Sequence, residues 1–462
     1  MTTTQQIKHL YWRAGFGLSP KEWQAVQSLS LAQALDALFS LKSSSLSQPT
    51  PVNIDRRAGK EARQEARQLQ RQSLNKQKAA WIKRMAHPRE NALLERMSLF
   101  WHGHFACISR TPKLAVQQLN TIRQHALGDF RSLLLAISED VSMIRFLNNQ
   151  QNRKNNPNEN YARELLELFT MGTGNYSEQD IKAAARAFTG WSSNARGEFV
   201  FRRWDHDEEM KTFLGKTGNF NGNDIIDIIL ARKETALFIT RKIYRYFVHP
   251  KVDEARVYAL AKSFYQSNYD IAHLMRSIFE SDWFYASENI GAKIKSPMDL
   301  TAGIMRTLEL DFSSPITLLR LQRFLGQELF NPPNVAGWEG DRNWIDHATL
   351  MMRLNLTNHF VSLSQKGRNH YKDEAVEEMM SEMKAQNFSQ QGRTFLSFEP
   401  FVKFLEEKEP EAIFDFLVHY LFQVKPNISR AAIEKYVLKN SRSQYIQSVM
   451  VRLMSLPEYQ MC

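Results

Sequence analysis

A chain of 462 residues with 43% hydrophobic and 24% charged residues has the composition of a folded globular protein, with room for one large helical unit or two to three smaller ones. Its 19 glycines and 15 prolines are few for that length, which argues against a turn-rich β architecture. A formal charge of +11 permits an acidic partner without requiring one, and two cysteines, Cys107 and Cys462, are too few for a disulfide framework.

No apolar run approaches the roughly 18 residues of a membrane span. The N-terminal Met1-Thr2-Thr3-Thr4-Gln5-Gln6 lacks the basic and apolar regions of a secretory signal, so the expected compartment is cytoplasmic, or exported if a leader has been removed. In chain order, residues 1–40 read as short helices and 42–54 as a Ser- and Pro-rich loop. A long helix follows from about Arg57 to Ala86. It carries much of the charge surplus, because the span 56–84 holds ten basic residues against Glu61 and Glu65. Pro88 is expected to open the next helix, Glu90 to Phe105, whose Leu93, Met97, Phe100 and His104 share one apolar stripe.

Asn156-Pro157-Asn158-Glu159 predicts a helix start with Asn156 as the cap, running to about Met171 and stopping at Gly172 or Gly174. Ser177 caps a further helix that stops at Gly190. The runs 198–201 and 211–214 predict one small β-hairpin. Asp224 then caps a return to helix, which dominates to the end apart from the Pro- and Gly-punctuated loop Asn331–Trp338 before a helix at about Ile345. No internal repeat and no composition shift divides the chain, so the expectation is a mostly α fold in one domain, 1–462, with a hairpin inserted at about 198–215.

Several short stretches carry candidate chemistry. Leu214-Gly215-Lys216-Thr217-Gly218 ends like a phosphate-binding loop, but Met210 stands where its first glycine is required, so nucleotide binding is not expected there. In Trp101-His102-Gly103-His104-Phe105 the two histidines lie about 200° apart on a helix, so both reach one ion only if the helix ends between them. The plainer reading is a core histidine bonded to a carbonyl. In the next helix Glu159, Arg163, Glu167 and Glu164 fall at about 0°, 40°, 80° and 140°, opposite an apolar face. They are either ordinary surface pairs or carboxylates lining a polar cleft. Asp205-His206-Asp207 offers oxygen and nitrogen ligands if extended, with His206 on the opposite face, or else a turn. The basic helix has only Trp81 to interleave with its charges, which makes nucleic acid an unlikely partner for it.

Taken together, these stretches resemble one bacterial family, the "domain of unknown function 1800" family. The likeness lies in His9–Gly17, Leu94–Ala106, Asn156–Gly172 with Phe188–Trp191, His206-Asp207 with Lys211–Gly215, and Pro333–Trp338 with Trp344. They occur in family order over nearly the whole chain. The resemblance implies no established activity, and it implies export for many members. Gly103 departs from it, standing where a polar residue, commonly Asn, is expected between the histidines. Its motif residues coincide with those chosen on chemical grounds.

Two functional readings stay open. In the first the polar clusters converge on a site, with His102, His104, His206 and Asp207 as ligands of a divalent metal (Zn, Fe or Mn rather than Ca) and Glu159, Arg163 and Glu164 as acid–base or anion-orienting groups. In the second the protein is a non-catalytic scaffold whose basic helix, about 56–84, contacts an acidic partner.

Overall fold

Side chains that can cap a backbone amide mark most helix starts. Thr2 and Ser19 each accept a hydrogen bond from the backbone N–H three residues on, and the Gln5 and Glu22 side chains accept one in return from the cap N–H, starting the helices Thr3–Arg13 and Pro20–Val26. Ser177 and Ser296 do the same for Glu178–Ala187 and Pro297–Thr307. A computed structural model of the chain describes residues 2–40, 44–52, 59–312, 315–364, 399–406 and 408–462. Arg56 and Arg57 of the basic run, and parts of the 42–54 loop, lie outside the described residues.

The fold is mostly α, with two small antiparallel two-stranded sheets among the described residues. Connected buried apolar side chains run from Ile7 to Tyr459. The helix Ala92–His104 lies deep within this core. Leu93, Met97, Phe100, Trp101 and His104 are buried, but so are Glu95, Arg96 and His102 on its other faces. The polar face is tolerated because its charges are paired inside: Glu95 with Arg123 and the Trp81 indole N–H, and Arg96 with Asp299. The basic helix, Lys60–Ala86, packs on Pro112–His125, Pro297–Thr307 and Pro315–Phe324. Its last turns are core (Trp81, Ile82, Met85), Lys78 is held by Glu328 at 2.6 Å, and its first turns are exposed.

The structure corrects four local expectations. Pro88 lies in a turn, and Asn91 caps the following helix through its bond from the Leu94 N–H. Asn156 is taken up by a backbone bridge to Arg153, so the helix starts at Asn160 with the Asn158 side chain accepting from the Asn160 N–H. Asn221, rather than Asp224, caps the helix Gly222–Leu230, with Asp224 as its reciprocal partner. The segments 198–201 and 211–214 do not pair with each other. Trp191–Ser193 pairs with Phe199–Phe201, and Lys211–Phe213 with Lys216–Gly218. The second hairpin closes through Leu214 (φ 50°) and Gly215 (φ 81°), both left-handed as a tight two-residue hairpin turn requires. The segment resembling a phosphate-binding loop is this turn.

Candidate functional site: a cationic cavity beneath the two-histidine helix

The end of the helix Ala92–His104 organises two other motifs through their backbones. His102 accepts a hydrogen bond at Nε2 from the Phe330 N–H at 3.0 Å, fixing the start of the Asn331–Trp338 loop. That loop returns so closely that a Cβ on Gly337 (φ 82°) would sit 2.3 Å from the Gly103 carbonyl oxygen, which accounts for glycine there. The His102 ring also contacts Trp81, Phe330 and Trp338. Burial, with the charge of Lys78 adding to it, pushes the His102 pKa down to about 3, so the ring is neutral and accepts at Nε2.

His104 faces the other way. After Glu164 the chain widens into a π-helical turn, Leu165–Thr170, in which the Met171 N–H reaches the Leu166 carbonyl five residues back. Two carbonyls at its C-terminal end lack helical partners. His104 Nε2 donates to that of Phe169 at 3.0 Å, and the Lys242 ammonium to that of Leu168 at 2.8 Å. Lys242 Nζ also lies 3.3 Å from His104 Nδ1, so that nitrogen accepts and the ring is the Nε2–H tautomer. Burial and then the Lys242 charge hold the imidazole pKa well below its ordinary value, against the Phe169 bond.

The remaining sequence candidates are engaged elsewhere. Arg163 bridges Glu159 at 3.1 Å and Glu178 at 2.9 Å on the surface. Glu164 is half-buried, and burial together with the Glu167 charge raises its pKa. Asp205 ends a 3₁₀ turn, Arg203–Asp205, so the Asp-His-Asp stretch does not alternate as a strand. His206 Nδ1 donates to the Thr189 carbonyl at 2.9 Å. Asp207 makes a two-pronged pair with Arg186 (2.6 and 3.1 Å) and accepts from the Glu209 N–H. Burial alone would raise the Asp207 carboxyl; the bonds from Arg186 and Glu209 and the Arg186 and Lys211 charges outweigh it and lower the pKa. Among the described residues no group of three or more His, Cys, Asp or Glu is arranged to hold a metal ion.

The structure does bring His104, Gly103, Trp338 and Trp344 to one cavity of about 490 Å³, within the size range of small-molecule sites. Phe100 and Tyr246 add aromatic faces, and three cations line it: Lys242, Arg245 and Lys293. None of the three makes an ion pair with a carboxylate among the described residues. Of the lining carboxylates, Asp299 is committed to Arg96, while Glu339 and Asp341 are exposed on the loop side. Burial, then the Arg245 charge, push Lys242 down to about 8. Lys293 is held well below its ordinary value, first by burial and then by Arg13, with Arg96 adding to it and Cys462 and Asp341 opposing. Two lysines whose pKa values are lowered, first by burial and then by neighbouring cations, thus face a cavity where an anion would favour their charged form.

Similarity to known proteins agrees with the motif order. The family model described as "Protein of unknown function (DUF1800)" matches residues 9–461. The chain belongs to the DUF1800 family. No curated protein and no solved structure gives a significant match. In this DUF1800 chain, sequence reasoning found the histidine and loop motifs but missed Lys242, Tyr246 and Lys293. Lys242 and Tyr246 sit in Lys233–Phe247, an amphipathic helix whose pattern does not set them apart, and Lys293 owes its place to long-range pairing with Cys462.

Proposed function

We infer that the protein binds a small anionic molecule with a flat or apolar body in the cavity beneath Gly103 and His104. The observation that carries this reading is the wall of three cations, Lys242, Arg245 and Lys293, each without a carboxylate ion pair among the described residues. The aromatic rings of Phe100, Tyr246, Trp338 and Trp344 supply the apolar surface, and a neutral His104 holds Lys242 in place. An anion seated there pairs with Lys242 and Lys293, which are already partly removed from water, and with the exposed Arg245. A metal reading has less support: both nitrogens of His104 are occupied, and Asp207 is tied to Arg186.

Calorimetric titration with phenyl phosphate tests the reading, with phenol as the uncharged control. Saturable binding of phenyl phosphate but not phenol, weakened in Lys242→Met and Arg245→Met, is the expected result. Equal affinity for both compounds, or affinity unchanged in both variants, contradicts it.

A second reading rests on a different observation. Arg63, Arg67 and Arg71 lie exposed along the first turns of the basic helix, with no ion pair among the described residues. That stripe suits an acidic polypeptide. Retention on immobilised poly-L-glutamate should disappear when the three are reversed to Glu; unchanged retention removes this reading.

A further inference from the structure

Lys293 lines the cavity with Lys242 and Arg245. Its backbone is fixed by two hydrogen bonds to Cys462, the Lys293 N–H to the Cys462 carbonyl at 3.1 Å and the Cys462 N–H to the Lys293 carbonyl at 2.8 Å. Its side chain turns into the cavity, with the amine 4.6 Å from the centre of the Tyr246 ring. Lysines in the same part of the fold are bonded: Lys242 to Leu168 and His104, Lys295 to the Tyr459 carbonyl, and Lys8 to the His419 and Phe422 carbonyls. The Lys293 amine has no hydrogen bond and no ion pair among the described residues; it meets the Tyr246 ring face, which leaves its hydrogen-bonding capacity unused.

We propose that Lys293 is a nucleophilic amine that condenses with the carbonyl group of an anionic aldehyde or ketone bound in this cavity. This rests on the anion-binding reading above and names the ligand class more narrowly. The amine lone pair attacks the carbonyl carbon, and the C=O π electrons move to oxygen. That oxygen takes a proton from solvent and a second from the nitrogen, then leaves as one water molecule while C=N forms. No oxidant or reductant is consumed. Lys242 and Arg245, on the facing helix Lys233–Phe247, are placed to hold the anionic end, and Trp338 and Tyr246 to flank a planar body.

The surroundings keep the amine available. Arg13 and Arg96 crowd it with positive charge, and Tyr246 presents a ring face rather than a counter-ion. Opposing them are Asp341 on the loop side and the Cys462 thiol. Burial would raise that thiol, but Arg13, Lys293, Arg96 and Lys295 together lower it. Burial is the largest influence and, with Arg13 and Arg96, holds the Lys293 pKa well below its ordinary value, which favours the unprotonated, nucleophilic amine.

The experiment uses the full-length protein and pyridoxal phosphate as an anionic aromatic aldehyde. The imine is trapped with cyanoborohydride near neutral pH, and the modified lysine is located by peptide mass spectrometry. About one equivalent on Lys293, competed by phenyl phosphate and absent in Lys293→Arg, is expected. Label spread over exposed lysines without preference for Lys293 overturns the proposal. Failure to label Lys293 while phenyl phosphate still binds sinks the imine and leaves the anion site standing; loss of both sinks both. Circular dichroism of Lys293→Arg shows whether loss of label reflects the residue or the fold.

Discussion

Two regions of the molecule treat charge in opposite ways. Around the hairpins the motif charges Arg163, Asp207 and Lys211 are answered: Arg163 by Glu159 and Glu178, Asp207 by Arg186, Lys211 by the carbonyls of Asp207 and Glu209. In the cavity Arg245 and Lys293 face a shared space without ion pairs among the described residues, and Lys242 beside them has a carbonyl and an imidazole but no carboxylate. The difference separates polar residues that hold the fold from those that await a ligand. The sequence motifs contain both kinds, and spacing along a helix does not tell them apart.

The comparison predicts that breaking an answered buried charge costs far more than removing an unanswered one. Arg123→Ala strands the Glu95 carboxylate, which is wholly buried beside the Trp81 indole. A loss of about 3–5 kcal/mol in urea unfolding is expected. A loss under about 1 kcal/mol would show that this pair is not a structural anchor. Lys242→Met stands between the classes, because it removes a cavity cation and also leaves the Leu168 carbonyl and His104 Nδ1 without their donor. The expected cost is about 1–3 kcal/mol, together with a rise of the His104 pKa visible by NMR. An unmoved imidazole would refute the assigned contact.

A pH dependence follows from the burial of these lysines. Burial pushes Lys8 down to about 8 and Lys295 to about 7, and burial with Arg245 pushes Lys242 to about 8. An unfolded lysine titrates near 10.4. Between those values the unfolded chain binds more protons than the folded one, so stability rises with pH, by up to about 1.4 kcal/mol per pH unit for each such lysine. The melting temperature should therefore climb from about pH 7 to about pH 9, and less steeply in Lys295→Met. Above that window Cys107, whose thiol is raised by burial, acts in the opposite sense. A flat or falling profile between the two values would contradict the charge assignment.

The smallest stability losses belong to the unanswered positions. Lys293→Met should not destabilise the fold near neutral pH and should raise its melting temperature there, because it removes a buried amine whose charged form the fold disfavours. Gly103→Asn should be mild, since a Cβ there finds its nearest neighbour, a Trp338 ring carbon, at 3.9 Å. That side chain would enter the cavity, so phenyl phosphate affinity should fall at least tenfold while the melting curve stays put. A stable Gly103→Asn protein with undiminished affinity would place the ligand elsewhere.

Much of the fold was legible because helix punctuation is local chemistry. Gly172, Ser177 and Gly190 mark ends and starts where the sequence indicates, and the apolar stripe of Leu93, Met97, Phe100 and His104 is buried. Strand pairing was not legible, because Leu214 in a left-handed turn gives no signal of the kind that Asn or Gly gives. Of the site, the histidine and Gly-Trp motifs stood out. What they do emerged only in three dimensions, since His102 and His104 act on the backbones of Phe330 and Phe169, far away in the chain.

The central claim is that the unanswered cations of the cavity are a binding site for an anion, and a crystal soaked in phenyl phosphate tests it most directly. The account predicts a phosphate group within hydrogen-bond reach of at least two of Lys242, Arg245 and Lys293, with the ring against Trp338 or Tyr246. A cavity empty at saturating ligand, or phosphate bound only along Arg63, Arg67 and Arg71, would contradict it.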